Sequence, residues 1–304
     1  MFAIQRFNRT AMLWVITAVV AVGLLVSSFV PGVRTALIVV QVGFALLHGA
    51  QRYGWRAIGV FLVAGLVISN ILENLSIQTG FPFGLYHYTG SGKIFEVPWF
   101  IGPAYLATGY LAWVVATVLL GEVRRNSSWL TTIGTPVIGA FAMTAWDLSL
   151  DPGASTITHV WIWHNGGGFF GVPLGNFLGW TFTVYLFMQV FALYLRSRGP
   201  LTTATQGRVM ASDLQGVLLY AATTIWFFVR FFTGERTTVT DAAGVSWRTG
   251  DIYETSVLVT MYGMLFIALL ALLRIALQRT VTPALPTQVT ANQDAKPDPA
   301  QLPA

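Results

Sequence analysis

Residues 99–120 read WFIGPAYLATGYLAWVVATVLL, and no Asp, Glu, Lys, Arg or His interrupts them. A helix rises 1.5 Å per residue, so this run is long enough to cross the roughly 30 Å hydrocarbon core of a bilayer. Seven further apolar runs flank it, at 12–30, 34–50, 57–76, 129–149, 174–195, 214–232 and 255–278. The run at 34–50 is short, and a tilted or re-entrant partner of the first run is the alternative for it. Composition agrees with this pattern. Of 304 residues, 55% are hydrophobic and 10% charged, with mean hydropathy +0.65. A soluble domain carries about 25% charged residues. These values exclude a soluble enzyme, a disordered chain and a nucleic-acid-binding module. The expected fold is an all-α polytopic membrane protein, a bundle of about eight transmembrane helices in the lipid bilayer.

Charge placement sets the expected orientation. With the N-terminus in the cytoplasm, twelve of the 17 Lys and Arg fall in cytoplasmic segments and five in outer ones. That bias follows the positive-inside rule, with both termini in the cytoplasm of a multi-pass cell-membrane protein. Arg6 and Arg9 precede the first run, as in a signal peptide. The run is too long for one and no A-x-A site follows, so an uncleaved first helix is expected. Residues 1–280 then form the transmembrane domain. The tail at 281–304, with five prolines, is expected to be a disordered cytoplasmic tail. There is no cysteine, which excludes disulfides, Fe–S clusters and thiolate zinc sites.

Two connections are long and aromatic, 77–98 and 150–173, and both fall on the outer side. Glu73 precedes the first, still inside apolar sequence. An ionisable group at membrane depth is costly and marks a candidate site. Gly80, Pro82 and Gly84 force turns, and Tyr86, His87 and Tyr88 follow as an aromatic cluster. Asp147 and Asp151 open the second loop at i, i+4 spacing, on one helix face if the helix reaches Asp151. Pro152 disfavours helix at Asp151, so the helix is expected to end near there. Like-charged carboxyls at one helix mouth repel, and one of them keeping its proton is what a general acid requires. Asn176 lies in the sixth run, where an amide bonds a neighbouring helix or positions a ligand.

The two loops look alike. Each has an acid at a helix end, a Gly/aromatic loop and a Val-Pro pair opening the next helix. Glu73 to Pro98 is 25 residues, and Asp147 to Pro173 is 26. Spans three–four and five–six therefore read as a parallel pseudo-repeat with its acids facing across a cavity.

Over roughly residues 60–195 these motifs resemble the integral-membrane carotenoid hydratases. That family includes the bacterial γ-carotene 1′,2′-hydratases and the haloarchaeal bisanhydrobacterioruberin hydratases. The resemblance is carried by Glu73 and then Thr79-Gly80-Phe81-Pro82-Phe83-Gly84-Leu85-Tyr86-His87-Tyr88, which matches T-G-x-P-F-G-x-Y-x-Y. It continues with Asp147 and Asp151-Pro152, then Trp161 and Trp163, then Gly171, Pro173, Asn176, Gly179 and Trp180. The chain departs from the pattern at Ser76, where Gly is common, and at Phe169-Phe170, where Tyr is common. His164-Asn165 is not a family feature.

The resemblance implies addition of water to the terminal 1,2 double bond of an acyclic carotenoid end, without a redox cofactor or metal. It implies a lipophilic substrate such as lycopene, γ-carotene or a C50 precursor, and other carotenoid-pathway enzymes as partners. The residues suit that chemistry. Protonating the isolated alkene leaves a tertiary cation, which needs a desolvated acid, an aromatic wall and one held water. Asp147 as acid and Glu73 as base is the expected assignment, with the reverse left open. Asp151 is the second aspartate that tunes the acid. Tyr86, Tyr88, Trp146, Trp161, Trp163 and Trp180 are the candidate wall, and Asn176 the candidate water holder.

Three alternatives stand beside it. An isomerase or cyclase would begin with the same protonation. A pigment binder would need no acid. A transporter would use Glu73, Asp147 and Asn176 as an ion path, although no second buried charge is expected near the inner side of the first six spans. His48, His87, His159 and His164 are too few for a di-iron desaturase. His159 is read as a loop residue and His164 as a possible pocket wall. Asp147-x3-Asp151 lacks the second motif and basic neighbours of a membrane prenyltransferase. Gly166-Gly167-Gly168 lacks the Lys of a phosphate loop. Glu235, Asp241, Asp251 and Glu254 read as a solvated acidic loop.

Overall fold

The computed structural model describes residues 2–27, 29–30, 33–198 and 206–281. The proline-rich tail lies outside the described residues, apart from Val281. Eight helical rods stand where the eight apolar runs lie. They are α1 (Phe2–Ser27), α2 (Val33–Tyr53), α3 (Trp55–Thr79), α4 (Ile101–Leu120), α5 (Trp129–Asp151) and α6 (Leu174–Ser197), then two compound rods. The first of those joins α7 (Gln206–Ala222) to α8 (Ile225–Thr233). The second joins α9 (Thr249–Val259) to α10 (Phe266–Val281). From α3 onward, six rods are long and apolar enough to cross a membrane, and the described apolar part of α1, Ala11–Ser27, is shorter. The uncertain second run is one unbroken helix of 21 residues. The chain is an all-α polytopic membrane protein.

Helix α4 is the centre of the bundle: 78% of its apolar window is buried, against 28% for the last rod. Trp113, Tyr110 and Tyr105 on it are among the largest fully buried side chains. Phe191 closes the inner half of the core, 5.0 Å from Trp113 and 5.1 Å from Phe61, ring centre to ring centre. The outward faces stay apolar, as at Leu130, Phe141, Leu178 and Leu273, which suits lipid as the solvent.

Helix ends follow local chemistry. Ser128 caps α5 by accepting from the Thr131 N–H at 3.1 Å. Pro136 inside α5 lacks the N–H that would bond Thr132, and the freed Thr132 carbonyl accepts instead from Gln189 Nε2 at 3.4 Å. Gly80, at φ 83°, ends α3 in the left-handed cap, its N–H donating to Ser76 O at 2.8 Å.

One expectation is corrected at the end of α5. The helix does not stop at Asp151. It continues as a π-helical turn over Pro152–Ile157, so the rod runs Trp129–Ile157. Pro152 has no N–H for a helical bond, and the widened turn gives its ring room past the preceding carbonyls. Asp147 and Asp151 therefore lie on one continuous helix.

A second correction concerns the end of the bundle expected to face the cytoplasm. Arg52, near the end of α2, is buried and pairs with Glu122 (Nε to Oε1, 2.6 Å) and with Asp213 of α7 (Nη1 to Oδ1, 2.6 Å). Tyr53 Oη donates to Glu122 Oε2 at 3.1 Å, and Trp113 Nε1 donates to Tyr53 Oη at 3.0 Å. Buried charge is thus present at that end of the bundle after all. It escaped the sequence reading because the tight α2–α3 turn at Gly54 looks like an ordinary solvated Arg loop.

The two long loops meet at the end of the bundle opposite Arg52. Strand β1 (Tyr86–Tyr88) pairs antiparallel with β4 (Trp161–Trp163), in the register Tyr86 to Trp163, His87 to Ile162 and Tyr88 to Trp161. Within the first loop, β2 (Lys93–Ile94) pairs with β3 (Val97–Pro98), and a third small hairpin pairs β5 (Thr238–Thr240) with β6 (Ser246–Arg248). The two long loops, which the sequence spacing likens to each other, are therefore joined edge to edge.

Candidate active site

Period-two alternation decides which side of the β1–β4 ribbon faces inward. Tyr86 and Tyr88 are buried and His87 between them is exposed. The inward residues cover a cavity of about 280 Å³ walled by α1, α2, α3, α4, α5, α6 and α8.

Glu73 reaches this cavity from α3 and is 3% exposed. Three phenols converge on its carboxylate. Tyr86 and Tyr88 donate to Oε2, the latter at 3.0 Å, and Tyr105 of α4 donates to Oε1 at 2.8 Å. Burial, and then the neighbouring Glu73, hold the Tyr86 and Tyr88 hydroxyls well above the ordinary phenol range, so both keep their protons and donate. Ser76, one turn below Glu73, shapes the loop. Its Oγ accepts from Phe83 N–H at 3.1 Å and donates to Gly84 O at 2.9 Å. The departure from Gly at this position thus supplies a loop anchor.

The opposite wall carries a second carboxyl cluster. Asp151 Oδ1 accepts from Trp161 Nε1 at 2.8 Å and from Trp163 Nε1 at 3.4 Å. Asn176 Nδ2 donates both to Asp151 Oδ2 at 2.6 Å and to Asp147 Oδ2 at 2.9 Å. Asp147 Oδ1 is buried with no hydrogen-bond partner among the described residues. One amide thus joins two buried carboxyls, a helical turn apart on α5.

The aromatic wall is continuous. Tyr105 stacks on Trp180 with ring centres 4.3 Å apart and planes 5° apart, and Tyr86 tilts against Trp163 at 4.7 Å. Gly179 lets the first loop sit on α6, since a Cβ there would stand 2.6 Å from Phe83 Cδ1 and 2.9 Å from Pro82 O.

Nine of the ten residues singled out in the sequence line this cavity: Glu73, Asp151, Tyr86, Tyr88, Trp146, Trp161, Trp163, Asn176 and Trp180. Asp147 does not. It lies behind Asp151 and communicates through Asn176. His164 does not line it either. It sits outside the ribbon, its Nε2 2.9 Å from Nδ1 of His87, because the residue after β4 turns away from the cavity. His159 is a loop residue at φ 51°, its carbonyl accepting from Thr89 Oγ1 at 2.6 Å. Tyr105 escaped the sequence reading, although a tyrosine in an otherwise apolar span is the signal that would have found it.

Known proteins point the same way as the motifs. The family model described as "Carotenoid biosynthesis protein" matches residues 33–244. A curated relative, the bisanhydrobacterioruberin hydratase of Haloarcula japonica, is 30% identical over 130 residues. That match covers 41% of this chain and 41% of the relative, so it spans about two fifths of the relative's length. No solved structure matches. The family match takes in Glu73, both aspartates, the ribbon and Asn176, and on its extent this chain belongs to the carotenoid biosynthesis protein family.

Proposed function

We propose that the protein is a carotenoid hydratase, which adds water to a terminal alkene of an acyclic carotenoid in the cell membrane, with the two loops on the outer side. The observation that carries this is the pair of carboxyls on opposing walls of one cavity, each in a different donor environment. Glu73 accepts three phenolic O–H groups, the surroundings of a held carboxylate. Asp151 and Asp147 share a single amide, the surroundings of a pair holding one proton between them.

The step follows from that asymmetry. Asp151, the member facing the cavity, gives its proton to C2 of the alkene, leaving a tertiary cation at C1. The faces of Trp161, Trp163, Trp180 and Tyr86 stabilise it, each cation–π contact contributing up to about 2 kcal/mol when desolvated. Water adds to C1, and Glu73 takes the proton released as the C–O bond forms. One proton then passes back to the aspartate pair, so the cycle balances without an oxidant or reductant. Asp147 acts here through Asp151, not on the substrate.

The test is expression in bacteria that accumulate lycopene or γ-carotene, with pigments read by mass spectrometry. The expected product is heavier by one water. Asp151→Asn and Glu73→Gln are each expected to lower turnover by roughly 10²–10⁴-fold, with the protein still folded in the membrane. Conversion without a change in mass would replace hydration by isomerisation or cyclisation. Full activity in either variant would remove that residue from the mechanism.

A further inference from the structure

Arg230, near the end of α8, and Arg236, just past it, stand against one aromatic ring. Their guanidinium carbons lie 5.3 and 5.6 Å from the ring centre of Tyr253 on α9. Two glycines make room for this arrangement. A Cβ on Gly234 would stand 2.3 Å from Tyr253 Cε2, and one on Gly250 would stand 2.9 Å from Arg236 Nη1. Arg236 donates to Gly250 O at 3.2 Å and to Phe231 O, which fixes its guanidinium. Arg230 Nη2 donates to Tyr253 Oη at 3.0 Å. Tyr253 is 6% exposed, and its own hydroxyl proton has no acceptor among the described residues.

The positive charge is left unanswered. Among the described residues neither arginine lies within ion-pair distance of a carboxylate, and Asp251 pairs with Arg248 instead, at 2.8 Å. Glu235 and Glu254, adjacent in the chain to Arg236 and Tyr253, are exposed and pair with neither arginine. Two cations at one ring repel each other, and cation–π contact offsets that only in part. Two guanidiniums and a phenol hydroxyl are a set of donors that an oxyanion completes, and the arginine fork matches phosphate oxygens two at a time. The place suits such a ligand. The cluster sits at the end of the bundle that carries the β1–β4 ribbon, where basic side chains between spanning rods meet headgroups. Phe232, between the two arginines in the chain, is 79% exposed. We propose that Arg230, Arg236 and Tyr253 form a binding site for an anionic phosphate group, carried by a lipid headgroup or free in solution. The site is separate from the cavity chemistry and does not rest on the hydration reading. A bound phosphate neutralises both cations and ties the end of α8 to the start of α9.

The experiment uses the full chain in an uncharged maltoside detergent and reads the thermal unfolding midpoint against added probe. The probes are phosphatidylglycerol, diacylglycerol with the same chains, and inorganic phosphate against sodium chloride of equal ionic strength. Phosphatidylglycerol is expected to raise the midpoint and diacylglycerol to leave it unchanged. A rise with phosphatidylglycerol alone assigns the phosphate to a lipid, and a rise with inorganic phosphate as well assigns recognition to the phosphate itself. Arg230→Gln and Arg236→Gln are each expected to raise the half-saturating concentration roughly tenfold, and the double variant to lose the response. Tyr253→Phe keeps the ring and drops the hydroxyl; it is expected to weaken binding about fivefold and serves if an arginine variant does not fold. Arg248→Gln removes an equal charge close by in the chain but outside the site, and is expected to respond as the wild type does. Three results overturn the proposal: no shift from either phosphate probe, an equal shift from diacylglycerol, or a response that Arg248→Gln lowers as much as the site variants do. An unchanged response in the site variants overturns it as well.

Discussion

Tyr88 and Trp161 lie opposite each other in register across the β1–β4 ribbon, and each turns its polar tip onto a different buried carboxyl. Tyr88 Oη donates to Glu73 at 3.0 Å, and Trp161 Nε1 donates to Asp151 at 2.8 Å. Tyr86 and Trp163, the next inward pair, repeat the arrangement on the same two acids. One short ribbon therefore supplies two donors to each acid, phenols to Glu73 and indoles to Asp151, beside Tyr105 and Asn176 from the helices.

Tyr88→Phe and Trp161→Phe each remove one donor without opening a large gap. Each is expected to slow hydration roughly ten- to a hundredfold, because a buried acceptor loses a bond that water does not replace. Since both act through one ribbon, their effects should not add, with a coupling of about 0.5–3 kcal/mol. Pigment turnover in the two single variants and the double variant measures this. Strictly additive losses would mean that the strands position the two acids independently.

Much of this arrangement is legible before any coordinates. Glu73 and Asp147 stand out because a carboxyl inside an apolar run needs a reason. The loops declare themselves by Gly, Pro and aromatic residues at matching spacing. Helix rotation is what stays hidden. In lipid, the outward face of a span is as apolar as its inward face, so no stripe reveals which side of α4 or α5 looks into the cavity. That is why Tyr105 was missed, and why Asp147 was expected in the front position that Asp151 holds. Pro152 misled for a related reason, since nothing in the sequence announces that a widened turn will carry the helix past it.

The outer face of the ribbon carries a pH-sensitive contact. His87 Nδ1 lies 2.9 Å from His164 Nε2, and such a bond needs one ring to donate and the other to accept. Partial burial, and then His164 and Lys93, hold His87 below its ordinary value of 6.5. The unfolded chain therefore binds more protons at this site than the folded one just below pH 6.5, so the contribution rises with pH. It is complete above about pH 6.5 and is lost as pH falls through the lower folded-state value. The expected result is faster amide exchange at His87 and Ile162 on acidification, flattened by His87→Gln. Ribbon exchange with no acid dependence beyond the intrinsic chemistry would show that the histidine pair does not hold the strands.

The inner cluster makes the last prediction. Arg52 sits between Glu122 and Asp213, with side chains only 8%, 12% and 9% exposed. Removing the cation leaves two carboxylates buried and unpaired, a change that costs about 3–5 kcal/mol in buried pairs. Arg52→Met is therefore expected to lower stability by that amount in denaturant titration of the solubilised protein. Replacing all three groups, as in Arg52→Met with Glu122→Leu and Asp213→Leu, is expected to recover most of the loss, because no charge then stays buried without a partner. The Glu73 and Asp151 walls lie at the other end of α4, so the folded fraction of each variant should keep its turnover. A drop in turnover larger than the drop in folded protein would instead tie the inner cluster to the reaction, as a proton path across the bundle would require.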